Sequence, residues 1–479
     1  MRAAHKRAIV EATSLSVLLL VISACGDSSA TTSPQPVASV TVDPAALDLL
    51  VTSTAHLTAT LKDAAGNVLS GTALAWTSSA PGVANVSPTG NVIAVSPGST
   101  TITATSEGKS GTAIVTVTSL TFAAVSGGGT HSCGITTSGA GYCWGNNQFW
   151  ELGAASTASS TIPIPITGGL TFSQVSAGPH HSCGLTTAGV AYCWGQGFAG
   201  ELGNGSTNSS RVPVAVAGGL TFASLSAGTD YAAVDLGGAH SCGLTISGVA
   251  YCWGSNSGGQ LGSVSPANSS SPVAVSGSLT FSSLSAGDAF TCGVITNGAA
   301  YCWGRNGFGN LGDGSTIDRL TPVAVVGGHT FATLSAGSGW TCGVTTSGSG
   351  FCWGVNASGN LGNGTTSNSS APAPVSGGLS FAIVQAGGAH TCGITIAGAA
   401  YCWGNSFFGQ LGNGSTTNSS VPALVAGALH FAALSTGSGH TCAVTTTGVA
   451  YCWGYNADGE IGMGTTGSFA MPAKVVGQF

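Results

Sequence analysis

Paired cysteines are the residues of this sequence whose type and spacing most clearly suggest chemistry. Fourteen of the fifteen cysteines form seven pairs, and the members of each pair stand ten residues apart. Such pairs are compatible with free thiols, zinc-binding thiolates or disulfide bonds. Zinc sites usually contain a short Cys-x-x-Cys motif, which is absent here, so we expect no metal site. The pairs are Cys133 with Cys143, Cys183 with Cys193, Cys242 with Cys252, Cys292 with Cys302, Cys342 with Cys352, Cys392 with Cys402, and Cys442 with Cys452.

The turn between two paired cysteines predicts that they face each other. In the first pair this turn is Thr137-Ser138-Gly139, which is typical of a type I turn followed by a glycine in the left-handed conformation. The turn places Cys133 opposite Cys143 in an antiparallel hairpin. Opposed residues have Cα atoms about 4.5 to 5.5 Å apart, within the range of a disulfide. We therefore expect seven disulfides, one within each hairpin.

The fifteenth cysteine, Cys25, follows a segment with the features of an export signal. Three basic residues precede a short apolar run at residues 15–22, which is too short to span a bilayer about 30 Å thick. The sequence Ile-Ser-Ala-Cys at 22–25 resembles a bacterial lipobox. The resemblance implies that residues 1–24 are a lipoprotein signal peptide and that Cys25 is lipidated, with a plain signal peptide as the alternative. The expected location is the cell envelope, lipid-anchored at the outer membrane or cell surface, where disulfides persist.

Histidines and loop carboxylates also recur, but at positions that favour a structural role. Phe290 and Trp340 interrupt the series of histidines that stand two residues before the first cysteine of a pair, so a ring of metal ligands is disfavoured. A second series of acidic or amide residues is expected to satisfy backbone groups in loops. The histidines are His131, His181, His240, His390 and His440, and the second series is Glu151, Glu201, Gln260, Asn310, Asn360, Gln410 and Glu460.

The elements that position these residues repeat along the chain. The first cysteines of the pairs are fifty residues apart at five steps and fifty-nine at one. Each unit predicts four short strands, which in the sixth unit are residues 381–385, 390–395, 400–403 and 421–425. Seven four-stranded units at a fixed period predict an all-β protein with a seven-bladed β-propeller at residues 119–479. Stacking in a solenoid is the alternative, but the last unit has no clearly polar cap.

A signature within the repeat resembles a known family. Tyr-Cys-Trp-Gly at 401–404 and Gly-Gln-Leu-Gly-Asn-Gly at 409–414 resemble the regulator of chromosome condensation repeat, which implies a seven-bladed propeller. The family includes a secreted bacterial inhibitor of β-lactamase, so the resemblance implies binding without catalysis. Guanine nucleotide exchange on a small GTPase, the activity of the eukaryotic founder, is the alternative. An exported chain with disulfides would not meet a cytosolic GTPase.

A separate domain precedes the propeller. Residues 36–118 alternate apolar and polar residues in short runs, which predicts an antiparallel, immunoglobulin-like β-sandwich of about seven strands. Trp-Thr-Ser-Ser at 76–79 and Ile-Thr-Ala at 102–104 resemble the group 2 bacterial immunoglobulin-like domain, which implies a spacer with Trp76 in its core. Residues 25–35, small, polar and proline-bearing, are expected to form a flexible tether.

Charge and missing motifs exclude several functions. Once residues 1–24 are removed, six basic and fourteen acidic residues remain, a net charge of −8. This balance provides no basic surface for phosphates, so no nucleic-acid partner is expected. No nucleophile elbow or pair of carboxylates at a common site occurs, so we expect a non-enzymatic monomer without a cofactor.

Residues that depart from the repeat are the candidate binding site. Repeated residues build the scaffold, whereas ligand sites usually lie on variable loops carried by it. The third unit contains nine extra residues, and the first and fifth units carry tryptophans that depart from the repeat. Tryptophan and tyrosine are frequent anchors of protein interfaces and sugar sites. We predict that an unknown protein or glycan ligand contacts Trp150, Asp230, Tyr231, Asp235 and Trp340.

Overall fold

The chain is all-β in the computed structural model, which describes residues 35–228 and 239–478. The first nine strands form the immunoglobulin-like domain. Their bounds are β1 (Ser39–Asp43), β2 (Ala46–Leu50), β3 (Thr54–His56), β4 (Thr58–Lys62), β5 (Ala75–Ser78), β6 (Ala84–Val86), β7 (Asn91–Ala94), β8 (Gly98–Ser106) and β9 (Lys109–Thr118).

This domain has nine strands rather than about seven, and one of its strand pairs departs from the predicted antiparallel sandwich. Its strands pair in the orders β2-β9-β8-β5, β3-β7-β6 and β1-β4, and β2 runs parallel to β9. The parallel pair arises because the chain changes sheets between Asp43 and Ala46, so that one N-terminal segment supplies edge strands to two sheets. Leu57, Val92, Ile102 and Val115 are fully buried between the sheets, and the half-buried Trp76 packs against this core.

The rest of the chain forms seven sheets of four strands, which we call blades 1 to 7 in chain order. The first strands are β10 (Phe122–Gly127), β14 (Phe172–Ala177), β18 (Phe222–Ala227), β22 (Phe281–Ala286), β26 (Phe331–Ala336), β30 (Phe381–Ala386) and β34 (Phe431–Thr436). The second strands are β11 (His131–Thr136), β15 (His181–Thr186), β19 (His240–Thr245), β23 (Phe290–Ile295), β27 (Trp340–Thr345), β31 (His390–Thr395) and β35 (His440–Thr445).

The third and fourth strands complete each blade toward the outside of the ring. The third strands are β12 (Gly141–Gly145), β16 (Ala191–Gly195), β20 (Ala250–Gly254), β24 (Ala300–Gly304), β28 (Gly350–Gly354), β32 (Ala400–Gly404) and β36 (Ala450–Gly454). The fourth strands are β13 (Ser160–Pro165), β17 (Ser210–Ala215), β21 (Ser269–Ala274), β25 (Arg319–Ala324), β29 (Ser369–Pro374), β33 (Ser419–Leu424) and β37 (Phe469–Lys474). Proline is tolerated in the fourth strand because this strand has a neighbour on one side only.

The ring closes without exchange of a strand, because every blade is contiguous in sequence. Blade 7 meets blade 1 as any other neighbouring pair meets. The Phe122 N–H donates to the Gly448 carbonyl over 2.9 Å, and the equivalent Phe172 N–H donates to Gly139 over 2.8 Å. The sequence alone left the closing strand open, and the structure assigns closure to this contact.

Tryptophan from each third strand fills the space between neighbouring blades. All seven of these side chains are fully buried. Each indole N–H donates to a backbone carbonyl in the loop of the preceding blade, as Trp194 does to Glu151 over 2.7 Å. Phe172 of the same blade lies 6.1 Å from Trp194 between ring centroids. The blades are therefore joined by a repeated apolar and hydrogen-bonded interior.

The propeller has two different faces. The loops between third and fourth strands and the turns between first and second strands lie at one end of the blades, which we call the loop face. The β-hairpins such as residues 137–140 lie at the other end, the hairpin face. The immunoglobulin-like domain is joined to the ring where it closes, because the Gly477 N–H donates to the Val51 carbonyl over 3.0 Å.

Candidate functional site

The paired cysteines lie opposite each other in all seven hairpins, as the turn predicted. Cys133 faces Cys143 in the register of β11 and β12, and Gly139 adopts a φ of 82°. In all seven pairs the sulfurs are bonded and the Cα atoms are 4.0–4.1 Å apart. Every one of these cysteines is buried. The cysteines therefore stabilise the blades and offer no accessible thiol.

The repeated histidines form hydrogen bonds between blades. His131 Nε2 lies 2.7 Å from the hydroxyl of Ser182 in the next blade. That hydroxyl donates its one hydrogen to the Glu151 carbonyl over 2.9 Å, so the histidine donates from Nε2. His181, His240, His390 and His440 make the equivalent contact with the next blade. These side chains are fully buried and are not available to a ligand.

Burial keeps four of these histidines neutral. It lowers the pKa of His131, His181 and His390 to about 3, with a smaller contribution from neighbouring histidines. Burial lowers the pKa of His440 to about 4. An imidazolium in this position would bring a second N–H and a charge into an apolar interface. The series is therefore part of the scaffold, as the sequence favoured.

The loop carboxylates and amides hold the loops in place. The Glu151, Glu201 and Glu460 carboxylates each accept a hydrogen bond from a backbone N–H two residues earlier, at 2.8–2.9 Å. Gln260, Asn360 and Gln410 do the same with an amide oxygen. Burial raises the pKa of the Glu460 carboxyl to about 8. A protonated carboxyl at this position is a close substitute for the amide of the other blades.

The channel along the ring axis is neutral. Its volume is about 260 Å³, and the residues that line it in the described parts of the chain belong to the first strands and carry no charge. Serine hydroxyls in this lining bind the neighbouring blade, since the Ala177 N–H donates to Ser126 Oγ and the Ala227 N–H donates to Ser176 Oγ, both over 2.9 Å. The residues that line the channel therefore hold neighbouring blades together, and they offer no charge to a ligand.

Exposed aromatic side chains lie on the loop face. Phe198, Phe308 and Phe407 are 66%, 52% and 72% exposed, and they stand three or four residues after the glycine that ends a third strand. The neighbouring Phe408 packs at 4.8 Å against Tyr455 of blade 7. Our sequence reasoning did not select these residues. Aligning the seven loops from that glycine would have found them.

Trp150 is a half-buried residue of the loop face in blade 1. Its indole lies 4.8 Å beneath the guanidinium of Arg211, in the fourth strand of blade 2. The preceding Phe149 packs against the ring of His180, with 4.8 Å between the ring centroids. His180 Nδ1 is 3.9 Å from a buried oxygen of Glu151. Phe149, Trp150 and the buried Glu151 thus contact blade 2, and the two aromatic rings form an aromatic and cationic surface with Arg211 at this junction.

Trp340 is not part of a binding surface, which corrects our prediction. Its side chain is only 1% exposed, and its Nε1 donates to Thr391 Oγ1 over 3.0 Å. Trp340 occupies the position of the repeated histidines in the second strand and makes the same contact with the next blade. The departure from the repeat suggests a loop aromatic, whereas the position of Trp340 in β27 directs its side chain into the interior.

The remaining predicted site residues lie outside the described part of the chain. These are Cys25 and the insertion residues Asp230, Tyr231 and Asp235. Within residues 35–228 and 239–478, no three His, Cys, Asp or Glu side chains converge as metal ligands do. The same residues contain no helix of the length and hydropathy needed to cross a membrane.

Family models match both parts of the chain. The model of the bacterial Ig-like domain (group 2) matches residues 36–117. The model of the regulator of chromosome condensation (RCC1) repeat matches six segments, each of which starts in a hairpin and ends in the second strand of the next blade. These segments are 138–185, 188–243, 247–294, 297–344, 347–394 and 397–444. A comparison with curated proteins finds no match.

Solved structures share the propeller. Human WBSCR16 superposes with a TM-score of 0.61 at 19% identity, over 68% of this chain and 87% of that chain. Yeast RCC1 (Prp20) bound to Kap60 gives a TM-score of 0.61 at 19% identity, over 70% and 83%. Prp20p from Saccharomyces cerevisiae, described with its binding properties to Gsp1p and histones, gives 0.56 at 19%, over 66% and 80%. At this identity the likeness establishes the fold.

Proposed function

Because the chain belongs to the regulator of chromosome condensation (RCC1) repeat family, we propose that its propeller is a non-catalytic binding domain for a protein ligand, with the loop face as the binding surface. The family fold supports a protein-binding role. Among the relatives, yeast RCC1 binds Kap60, and Prp20p is described through its binding to Gsp1p and histones. A glycan ligand is the alternative, and the binding experiment must distinguish it from a protein ligand.

One observation carries the choice of face. Among the described residues, the three aromatic side chains that are most exposed, Phe198, Phe308 and Phe407, all lie on the loop face. The hairpin face exposes aliphatic side chains instead, such as Ile246 and Ile396. Aromatic residues are enriched at the centres of protein interfaces, whereas single aliphatic residues are common on any surface. The loop face therefore has the composition of a binding surface.

Anchoring at the cell envelope is the second part of the proposal. The basic and apolar leader, the lipobox resemblance at Cys25 and the seven disulfides all favour export to an oxidising compartment. The immunoglobulin-like domain and the polar segment at 25–35 would then separate the propeller from the membrane. Nucleotide exchange is not proposed, because the blade 3 insertion that suggested it lies outside the described residues.

A photocrosslinking experiment tests the binding face. A photoreactive phenylalanine analogue replaces Phe198 on the loop face or Ile246 on the hairpin face, which are 66% and 77% exposed. Cells that carry each variant are irradiated, and crosslinked proteins are identified by mass spectrometry. We expect a discrete protein adduct from position 198 and none from position 246. Adducts from position 246 alone would contradict the choice of face, and adducts to polysaccharide alone would favour the glycan ligand.

A labelling experiment tests the anchor. Cells are fed an alkyne analogue of palmitate, and the protein is isolated from the wild type and from Cys25→Ala. We expect label on the wild type only, because the cysteine sulfur is the acceptor of the lipid. Label of equal intensity on both proteins, or on neither, would contradict lipid anchoring at Cys25. The binding experiment is unaffected by either result.

A further inference from the structure

Trp150 stands where the other six blades have glycine. The fifth residue after the glycine that ends the third strand is Gly200, Gly259, Gly309, Gly359, Gly409 or Gly459 in blades 2 to 7, and all six have a φ between 78° and 94°. Trp150 has the same left-handed conformation, with a φ of 69°. A side chain is disfavoured in this conformation, and a bulky one more so. Strained residues of this kind cluster at ligand sites, where function retains them.

Packing at the equivalent positions makes the tryptophan more unusual still. A Cβ added to Gly309 or Gly409 would lie 2.6 or 2.5 Å from a backbone Cα in the fourth strand of the next blade. The fourth strand of the blade after Trp150 carries Arg211, and there the indole packs beneath the guanidinium. Trp150 therefore keeps a disfavoured backbone conformation at a position that is crowded in other blades, and its ring contacts Arg211 there.

Among the described residues, none binds the N–H groups of the Arg211 side chain. It is exposed, and no carboxylate among the described residues lies within ion-pair distance of it. Arg319, by contrast, is paired with Asp313 over 2.8 Å. An arginine stacked on an aromatic ring is held by the ring face, and its N–H groups at the edge match the two oxygens of a carboxylate. The pair thus forms a preorganised carboxylate receptor on a chain of net negative charge.

We propose that Trp150 and Arg211 form a binding site for the carboxylate of an acidic segment in a protein partner. The site rests on the proposed protein-binding function and adds the chemistry of the segment that is recognised. Phe149 packs against His180 beside the pair. These rings favour an acidic residue flanked by apolar side chains, which a peptide provides and a sugar chain does not.

The test measures binding to an array of synthetic peptides. Each peptide contains Asp or Glu beside apolar residues, and each has a twin with Asn or Gln instead. The full chain is used as wild type, Arg211→Gln, Trp150→Gly and Arg305→Gln, the last being an exposed arginine on the loop face of blade 4 that serves as the matched control. Oligosaccharides of uronic acids are included as a second set of carboxylates.

We expect acidic peptides to bind the wild type at least about tenfold more tightly than their neutral twins, since a bidentate arginine contact is lost in the twin. Arg211→Gln and Trp150→Gly should remove that preference, and Arg305→Gln should retain it. Equal binding of the twins, no binding of any peptide, or an unchanged preference in Arg211→Gln would overturn the proposal. Binding of uronic acids alone would also overturn it.

Two measurements distinguish failure of the Trp150–Arg211 site from failure of the proposed protein-binding function. Thermal unfolding of each variant shows whether it is folded, and Arg211→Gln, a change at an exposed side chain, tests the site even where Trp150→Gly fails to fold. A protein crosslinked at position 198 that binds Arg211→Gln as well as the wild type would leave the binding function intact and refute this site.

Discussion

The interior between blades and the loop face are both built from seven copies of the same unit. Their residues differ, because those of the interior repeat from blade to blade and those of the loop face vary. In the interior every blade buries a third-strand tryptophan and donates its indole N–H to the preceding blade, as Trp194 does to Glu151. On the loop face the residues that follow the third strand differ from blade to blade, and the exposed aromatics lie there. Repetition therefore marks residues whose contacts hold the ring, and variation marks residues free to meet a ligand.

Trp340 is an exception to the rule that variable residues are free to meet a ligand. It departs from the repeat, yet it is buried and keeps the interblade bond that the histidines make. Trp150 departs from the repeat on the loop face, at a left-handed position. A departure indicates a site only where the side chain reaches solvent, and the predictions below separate the two kinds of residue.

Acid should weaken the interior more than any single substitution does. Below pH 6.5 the unfolded chain binds a proton on each histidine, whereas the folded chain does so only near pH 3 to 4. The contribution of these histidines to stability is therefore complete above pH 6.5 and is lost as the pH falls, by up to about 1.4 kcal/mol per pH unit for each of them. Denaturant unfolding measured from pH 7 to 4 checks this.

His181→Gln is the control for the acid effect. Glutamine can donate to Ser241 in place of the histidine, but it takes up no proton. The variant should lose less stability per pH unit than the wild type, by about 1.4 kcal/mol. Parallel pH profiles for the two proteins would show that this histidine does not sense acid.

Removal of an interior tryptophan comes next. Trp194→Ala deletes a fully buried ring and leaves the Glu151 carbonyl without its donor. We expect a loss of about 3 to 5 kcal/mol in the free energy of unfolding, the usual range for such a truncation. Urea unfolding gives this value. A loss below about 1 kcal/mol would contradict the scaffold role of the ring.

Removal of one disulfide should have a smaller effect. Replacement of Cys133 and Cys143 by alanine opens a link of ten residues within a hairpin. The chain-entropy model gives at most about 3 kcal/mol for so short a loop, and the hairpin turn lowers that value. Calorimetry of the double variant measures this loss of stability. A double variant that does not fold would show that the disulfide contributes more than about 3 kcal/mol and would contradict the prediction.

A second effect of pH concerns Glu460. Because burial raises the pKa of this carboxyl to about 8, the folded chain holds a proton that the unfolded chain releases above pH 4.5. Stability therefore falls as the pH rises from 4.5 to 8. Glu460→Gln should be equal to the wild type at pH 5 and about 4 kcal/mol more stable at pH 9. A difference independent of pH would show that the carboxyl ionises normally.

Local chemistry made the propeller largely predictable from sequence. A turn that ends in Gly139 permits only one register for its hairpin, and that register places the cysteines opposite each other. In the sixth unit the second strand was predicted with its observed bounds, His390–Thr395. The fourth strand was predicted at 421–425 but begins at Ser419 and ends at Leu424, because the polar residues before it pair with the third strand.

Features that depend on the assembled ring were not predictable in the same way. The parallel pairing of β2 with β9 follows from a change of sheet that no local pattern encodes. Burial of Trp340 follows from its contact with the next blade. The contact of Trp150 with Arg211 joins residues sixty-one positions apart. Only the left-handed position of Trp150 was open to inference, by comparison with the six glycines.

The most direct test of the account is the thermal and urea unfolding of Trp150→Gly. Glycine restores the residue of the other six blades and relieves a left-handed conformation worth about 1 kcal/mol, while a half-buried ring is lost. We predict a stability equal to the wild type or up to about 1 kcal/mol above it. A loss of 3 kcal/mol or more, as expected for Trp194→Ala, would show that Trp150 holds the scaffold and would contradict its assignment to ligand binding.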